Sequence, residues 1–476
     1  MIRASGILAT AFAALALMAP APLTAQQDGE VRVRPSPEIL ETGTLKEPLG
    51  ADAFLEAALL LSGGTRDERD RAREILAGVS EAAARSIPEP SSPEDKAEAL
   101  LGFLHTRLLR RYVENQTRVD TAVLTGDYNC VSSAILYAYL AKKTGLEVYG
   151  IRTTDHALCA VDVPGRAVDV ETTNRYGFDP GSKKEFLDSF GRITGYAYVP
   201  PSRKDARRAL GDREFLGLIL SNRIAELELR GKWAESVGLA FDYDALVGTP
   251  DSRTFLLDRI SNHVAGRHAR SDWDGAFAAL ASASSTLGTE PRLSELEAVT
   301  AQAALSWFGS RRDWEGGLAY ARRVPPSAAG DPRVKELLRV LAEGRLRDSI
   351  RSRPFSDAVA EVETAVDSGI LDPRGRAELL EYLYGTEANA SAKRDGWLAG
   401  ISVLEDGLSR IPGSEALASA RRVFRSNWTA EVHNRFAAHF NARRFEEAGR
   451  TLEEALTLDP GNPTLIKDLE LLRKTR

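Results

Sequence analysis

The chain has two cysteines and six histidines in 476 residues, so thiol and imidazole chemistry is confined to a few positions. Cys130 follows Asn129, a residue type that caps helices, and opens an apolar run over 130–143 that ends before Gly145. A cysteine in a first helical turn meets unpaired N–H groups and the positive end of the helix dipole, which favour a thiolate. No acidic side chain occupies that turn to oppose the effect. His156 lies 26 residues on, at the start of a strand-like run. If Pro164-Gly165 is a two-residue turn, Val163 pairs with Arg166, Ala160 with Asp169, Leu158 with Glu171 and His156 with Thr173. His156, Asp169 and Glu171 then share one face of the hairpin, with Glu171 nearer by simple pairing. A histidine oriented by a carboxylate can take the proton of a nearby thiol, which is the chemistry of a cysteine nucleophile. Two bland roles compete: an inert buried cysteine, and a Cys130–Cys159 bridge. Cys159 is an odd number of residues from His156 and faces the other side of the sheet, which argues against the bridge.

The elements around these residues read as α+β. Residues 50–113 are helical in pattern. The clearest start is Ser92 as N-cap, Pro93 at the first position and Asp95 in the first turn, with Leu100, Leu104, Leu108 and Tyr112 as a buried stripe. Strand-like runs follow at 147–152, 157–163, 166–171 and 196–199, an antiparallel meander after the Cys130 helix.

Tyr128-Asn129-Cys130-Val131-Ser132-Ser133, Asp155-His156-Ala157 and Val168-Asp169-Val170-Glu171-Thr172-Thr173 together resemble the transglutaminase-like superfamily, over about 95–200. The resemblance implies a papain-like core with Cys130 as nucleophile, His156 as general base and Asp169 as the orienting carboxylate; Glu171 stays open as the geometric rival. Val131 stands where the family has Trp, and Ala157 replaces the aromatic after the His. Tyr128 is assigned to the border of an oxyanion hole otherwise formed by the Cys130 backbone N–H. The loop at 177–181 is a candidate for the lining of the site, with a plain turn as the preferred reading.

From about residue 213 the strands stop and a repeat begins. Trp233, Trp273, Trp314, Phe355, Trp397 and Phe445 are 40, 41, 41, 42 and 48 residues apart, each followed three residues later by Ser, Ala or Gly. Apolar or small residues recur seven and ten positions after each aromatic, on one face of a helix. This pattern predicts stacked helical hairpins. Phe445-Glu446-Glu447-Ala448, Ala455-Leu456 and Asp459-Pro460 resemble the second helix of the tetratricopeptide repeat, whereas Phe436 and His439 depart from its first helix. A spacing near 41 also exceeds that family's period of about 34. The fold class expected is an α+β papain-like, transglutaminase-like domain followed by an all-α helical-repeat, tetratricopeptide-like solenoid. The divisions expected are a leader at 1–25, a tether at 26–48, the cysteine domain at 49–210 and the repeats at 211–476.

Arg3, the apolar run from Ile7 to Met18 and Ala25 form a secretory leader pattern. Export to the periplasm or outside the cell is expected, with an uncleaved anchor as the weaker alternative. No later stretch reaches the roughly 20 apolar residues of a membrane span. A net charge of −6 with interspersed signs gives no nucleic-acid footprint. No cofactor is called for. The pairs His263/His268 and His433/His439 lack metal-ligand spacing. The function expected is acyl transfer through a thioester, with hydrolysis ahead of amine transfer, and a protein or peptide partner on the repeats. The alternative is a protein-binding scaffold with a degenerate cysteine domain.

Overall fold

The computed structural model describes residues 31–475 apart from Ser182; the leader expected at 1–25 lies outside the described residues. The chain is mostly helical with a small sheet region, and it divides into two compact units at Leu296/Glu297.

In the first unit, α1 (Pro37–Gly43), α2 (Ala51–Ser62), α3 (Arg66–Ser86) and α4 (Pro93–Arg107) lead to β1 (Arg111–Tyr112). Then come α5 (Val119–Thr125), β2 (Asp127–Tyr128), α6 (Cys130–Lys143), β3 (Val148–Thr153), β4 (Ala157–Val163), β5 (Arg166–Val170), α7 (Lys184–Thr194) and β6 (Arg207–Leu210). Ser92 and Asp95 form the expected capping box on α4. The helix ends at Arg107, however, and Tyr112 leaves its stripe. Arg110 and Arg111 instead donate to the Gly126 carbonyl, and β1 pairs in parallel with β2.

The main sheet has the order β5-β4-β3-β6 with every pair antiparallel. The hairpin register follows the parity argument: Val163 pairs with Arg166, Val161 with Val168 and Ala160 with Asp169. The run at 196–199 is not a strand. The place beside β3 is taken by β6, and the tyrosines at 196 and 198 tie to other groups. One sheet face, with Cys159, Val161, Val168 and Val170, packs in the core that contains α6. The other carries Ile151, Leu158 and Ala160 with Tyr198 against it.

Two expected boundaries shift. Within the segment read as a tether, Arg32 forms a bidentate pair with Asp242 and Ser36 also donates to it, while α1 packs on the helix that carries that carboxylate. The region from 211 is not separate from the cysteine domain either. Phe215, Leu216 and Ile219 of α8 (Asp212–Leu229) belong to the same core as α6. Gly150 of β3 makes this possible, since a Cβ there would meet the Phe215 ring at 2.5 Å.

The first unit continues through α9 (Trp233–Val247), α10 (Pro250–Ala269) and α11 (Trp273–Leu287); α12 (Pro291–Ser310) carries the division. The second unit contains α13 (Trp314–Ala321), α14 (Pro326–Ala329), α15 (Pro332–Ser349), α16 (Phe355–Asp367), α17 (Pro373–Asp395), α18 (Trp397–Arg410), α19 (Glu415–Asn441), α20 (Phe445–Leu458) and α21 (Pro463–Thr475). All six repeat aromatics open a helix. The small residue three positions on is buried every time. A Cβ on Gly400 would stand 2.7 Å from the Ala388 carbonyl oxygen, which explains why this offset selects small side chains. Both units therefore contain helical repeats. No described helix is long and apolar enough to cross a membrane.

Candidate active site

Cys130 is the first residue of α6. Asn129 Oδ1 accepts from the Val131 and Ser132 N–H groups, both at 3.0 Å, and Ser132 Oγ accepts from the Asn129 N–H at 2.9 Å. This capping box fixes the turn that carries the thiol. Asn129 Nδ2 also donates to the Glu114 carbonyl at 3.0 Å, and Ser132 Oγ to that of Gln116 at 3.1 Å, so the helix end is pinned to the chain that follows β1.

His156 immediately precedes β4, and its carbonyl accepts from the Thr153 N–H at 2.9 Å. Phe190 meets its ring edge-on at 5.3 Å and Tyr196 covers it at 5.6 Å. Its Nε2 bonds Glu171 Oε2 at 2.8 Å, while Nδ1 is buried with no nitrogen or oxygen partner among the described residues, and the Cys130 thiol lies close to the ring. Burial of the ring opposes its charge. The Glu171 carboxylate and the adjacent Cys130 thiol outweigh that effect and raise the His156 pKa to about 10. Both neighbours favour the charged form of the ring.

Glu171 is fully buried, and its other oxygen accepts from the Thr173 N–H at 3.1 Å and the Thr173 hydroxyl at 2.7 Å. Its backbone N–H bonds the Gly177 carbonyl at 2.8 Å. Gly177 is required for this approach, because a Cβ there would stand 2.0 Å from the Glu171 carbonyl oxygen. The loop at 177–181 is thus a turn that supports Glu171 and forms no part of the cleft wall.

Asp169, which the family pattern names as the orienting residue, does not meet His156. Arg207 donates to both its oxygens, at 2.6 and 2.8 Å, and the Tyr198 hydroxyl donates at 2.6 Å. The sheet explains the difference. Asp169 lies over Ala160 in mid-strand, whereas β5 ends at Val170 and releases Glu171 toward His156. The assignment of Tyr128 changes as well. It is buried, its hydroxyl donates to the Thr173 carbonyl at 3.3 Å, and it lies outside the cleft. Cys159 is fully buried and donates to the Ala134 carbonyl at 3.3 Å; burial pushes its thiol pKa well up. Both cysteines are free.

Cys130 and His156 open into a cleft of ≈240 Å3 whose other walls include Tyr112, Tyr196 and, from α8, Leu218 and Asn222. These wall residues carry no sequence signal of their own. His105 was equally silent: its Nε2–H donates to the Thr172 carbonyl at 3.0 Å, and burial lowers its pKa to about 4. Together with Tyr128 it holds the segment that presents Glu171.

No protein-family model matches this chain, and no curated protein matches it.

Proposed function

We propose that Cys130, His156 and Glu171 form the triad of a cysteine-dependent acyl-transfer enzyme of transglutaminase-like, papain-like type, acting as a peptide or amide hydrolase. The observation that carries this reading is the division of labour on the His156 ring. Nε2 is held by a buried carboxylate, and the same ring stands beside a thiol at a helix N-terminus, its Nδ1 without a nitrogen or oxygen partner among the described residues. The Cys130 sulfur attacks an amide carbonyl carbon, His156 gives its proton to the leaving amine, and water resolves the thioester. A Lys amine resolving the same thioester would give transfer; water is proposed by analogy with the superfamily that the motifs resemble. The leader pattern supports export, and the tetratricopeptide-like repeats are proposed to bind a protein or peptide partner.

Iodoacetamide labelling tests the reading. Cys130 is expected to alkylate readily at pH 6, well below the free-thiol pKa of about 8.5. The buried Cys159 should stay unlabelled, and His156→Ala should slow the reaction at least about tenfold. A Cys130 that behaves as an ordinary thiol, indifferent to His156→Ala, would leave the protein-binding scaffold as the function.

A further inference from the structure

Of four tyrosines in this region, Tyr112 and Tyr196 line the Cys130–His156 cleft while Tyr128 and Tyr198 lie outside its wall, and three have their hydroxyls bound to protein acceptors. Tyr128 donates to the Thr173 carbonyl, Tyr196 to Glu114 Oε1 at 2.8 Å, and Tyr198 to Asp169. The hydroxyl of Tyr112 has no hydrogen-bond partner among the described residues, although its side chain is part-buried and lines the cleft with Cys130. Backbone pairing places it there. Tyr112 lies opposite Tyr128 in the parallel β1–β2 pair, two residues ahead of Cys130, and the Val113 N–H donates to the Tyr128 carbonyl at 2.8 Å. The Tyr112 ring then stands edge-on to that of Tyr128 at 5.9 Å.

A second group points the same way. In the first turn of α6, Asn129 takes the N–H groups of Val131 and Ser132 through its side chain and that of Ser133 through its carbonyl. The Cys130 N–H is left with no acceptor among the described residues. A backbone donor and a side-chain hydroxyl therefore remain unmatched on the walls around one thiol.

We infer that Tyr112 is a catalytic residue whose hydroxyl, with the Cys130 backbone N–H, forms the oxyanion hole of the acyl-transfer reaction. The inference rests on the function proposed above and assigns to Tyr112 the role that the sequence pointed to in Tyr128. When the sulfur bonds to the carbonyl carbon, the π pair moves to oxygen, and the two donors stabilise that negative charge. Return of the pair reforms the carbonyl and breaks the bond to the leaving group. The tyrosine remains the donor throughout, since burial and the neighbouring Cys130 push its pKa far above the ordinary value.

The test uses two probes of the same thiol in the full chain. Acylation by p-nitrophenyl acetate, followed by release of p-nitrophenolate and absent in Cys130→Ala, passes through a tetrahedral oxyanion. Alkylation by iodoacetamide is a direct displacement at a methylene carbon and does not. Tyr112→Phe is expected to slow acylation at least about tenfold, since one oxyanion donor is commonly worth about 10²-fold. Alkylation should change less than about twofold, because the displacement develops no oxyanion charge. Tyr128→Phe should leave the ratio of the two rates unchanged. An unchanged ratio in Tyr112→Phe, including an equal fall in both rates, would overturn the inference; the ratio is taken within one protein, so partial misfolding cannot imitate it. Failure of the underlying function looks different: wild-type Cys130 would then show no His156-dependent reactivity with either probe.

Discussion

At the scale of single residues, the site turns on which of two carboxylates holds the histidine. Glu171→Gln keeps a hydrogen-bond acceptor beside Nε2 but removes the charge that does most to raise the His156 pKa. The pH at which Cys130 alkylation loses its dependence on the charged ring is expected to move down by about one unit, read from the pH profile of labelling. Asp169→Asn should behave in the opposite way. It breaks a buried pair with Arg207, a change worth about 3–5 kcal/mol, and so lowers the denaturation midpoint while the pH profile of alkylation stays in place. The same ring makes stability depend on pH. Its folded pKa of about 10 lies above the unfolded value of about 6.5. The stabilisation is complete below pH 6.5 and is lost as pH rises to 10. Urea midpoints of wild type should fall toward those of His156→Gln across that window; a gap that stays constant would show that the ring is neutral in the fold. The sequence could place both carboxylates on the face of His156 because strand parity depends only on the turn. Pairing put Glu171 nearer and the family pattern named Asp169; the sequence could not show that β5 stops at Val170, which frees Glu171 to meet His156.

At the scale of elements, the local grammar around the thiol was readable and the long-range ties were not. Asn129, Gly145 and Pro164-Gly165 specify a helix start, a helix end and a hairpin register through short-range chemistry, and each appears in the fold. Tyr196 meets Glu114 across 82 residues and Arg207 meets Asp169 across 38, contacts that no local pattern announces. The element that presents Cys130 is expected to depend on its cap. Asn129→Ala removes two bonds to buried N–H groups and should cost about 1–2 kcal/mol. It should also slow Cys130 alkylation severalfold, whereas Ser92→Ala, on the exposed cap of α4, should lower stability and leave alkylation alone. Gly177→Ala probes the loop behind Glu171. Its Cβ would meet the Glu171 carbonyl oxygen, so the carboxylate must shift and the pH profile of alkylation should move toward that of Glu171→Gln.

At the scale of the whole molecule, the repeat was visible in sequence because it recurs with one small residue at a fixed offset, while the domain boundary was not. The change from strands to helices near 211 suggests a division, yet α8 lies on the wrong side of it. Phe215 packs on Gly150 in the core of the cysteine domain, and Leu218 and Asn222 wall the cleft. Hydrophobic area, not a change of secondary structure, sets where a unit ends. A chain ending at residue 210 would expose the surface that α8 covers, and it should fail to unfold cooperatively and lose the reactivity of Cys130. A chain carried through α12 retains the core of α9 to α11 with Leu293, and it should melt cooperatively with alkylation at the full-length rate. Equal behaviour of the two chains, followed by circular dichroism and labelling, would show that α8 is dispensable to the site. Phe215→Ala refines the comparison in the intact protein: loss of this buried ring should cost about 3–5 kcal/mol and loosen the α8 wall. Cys130 alkylation should then remain dependent on His156 but become less selective between small and bulky electrophiles.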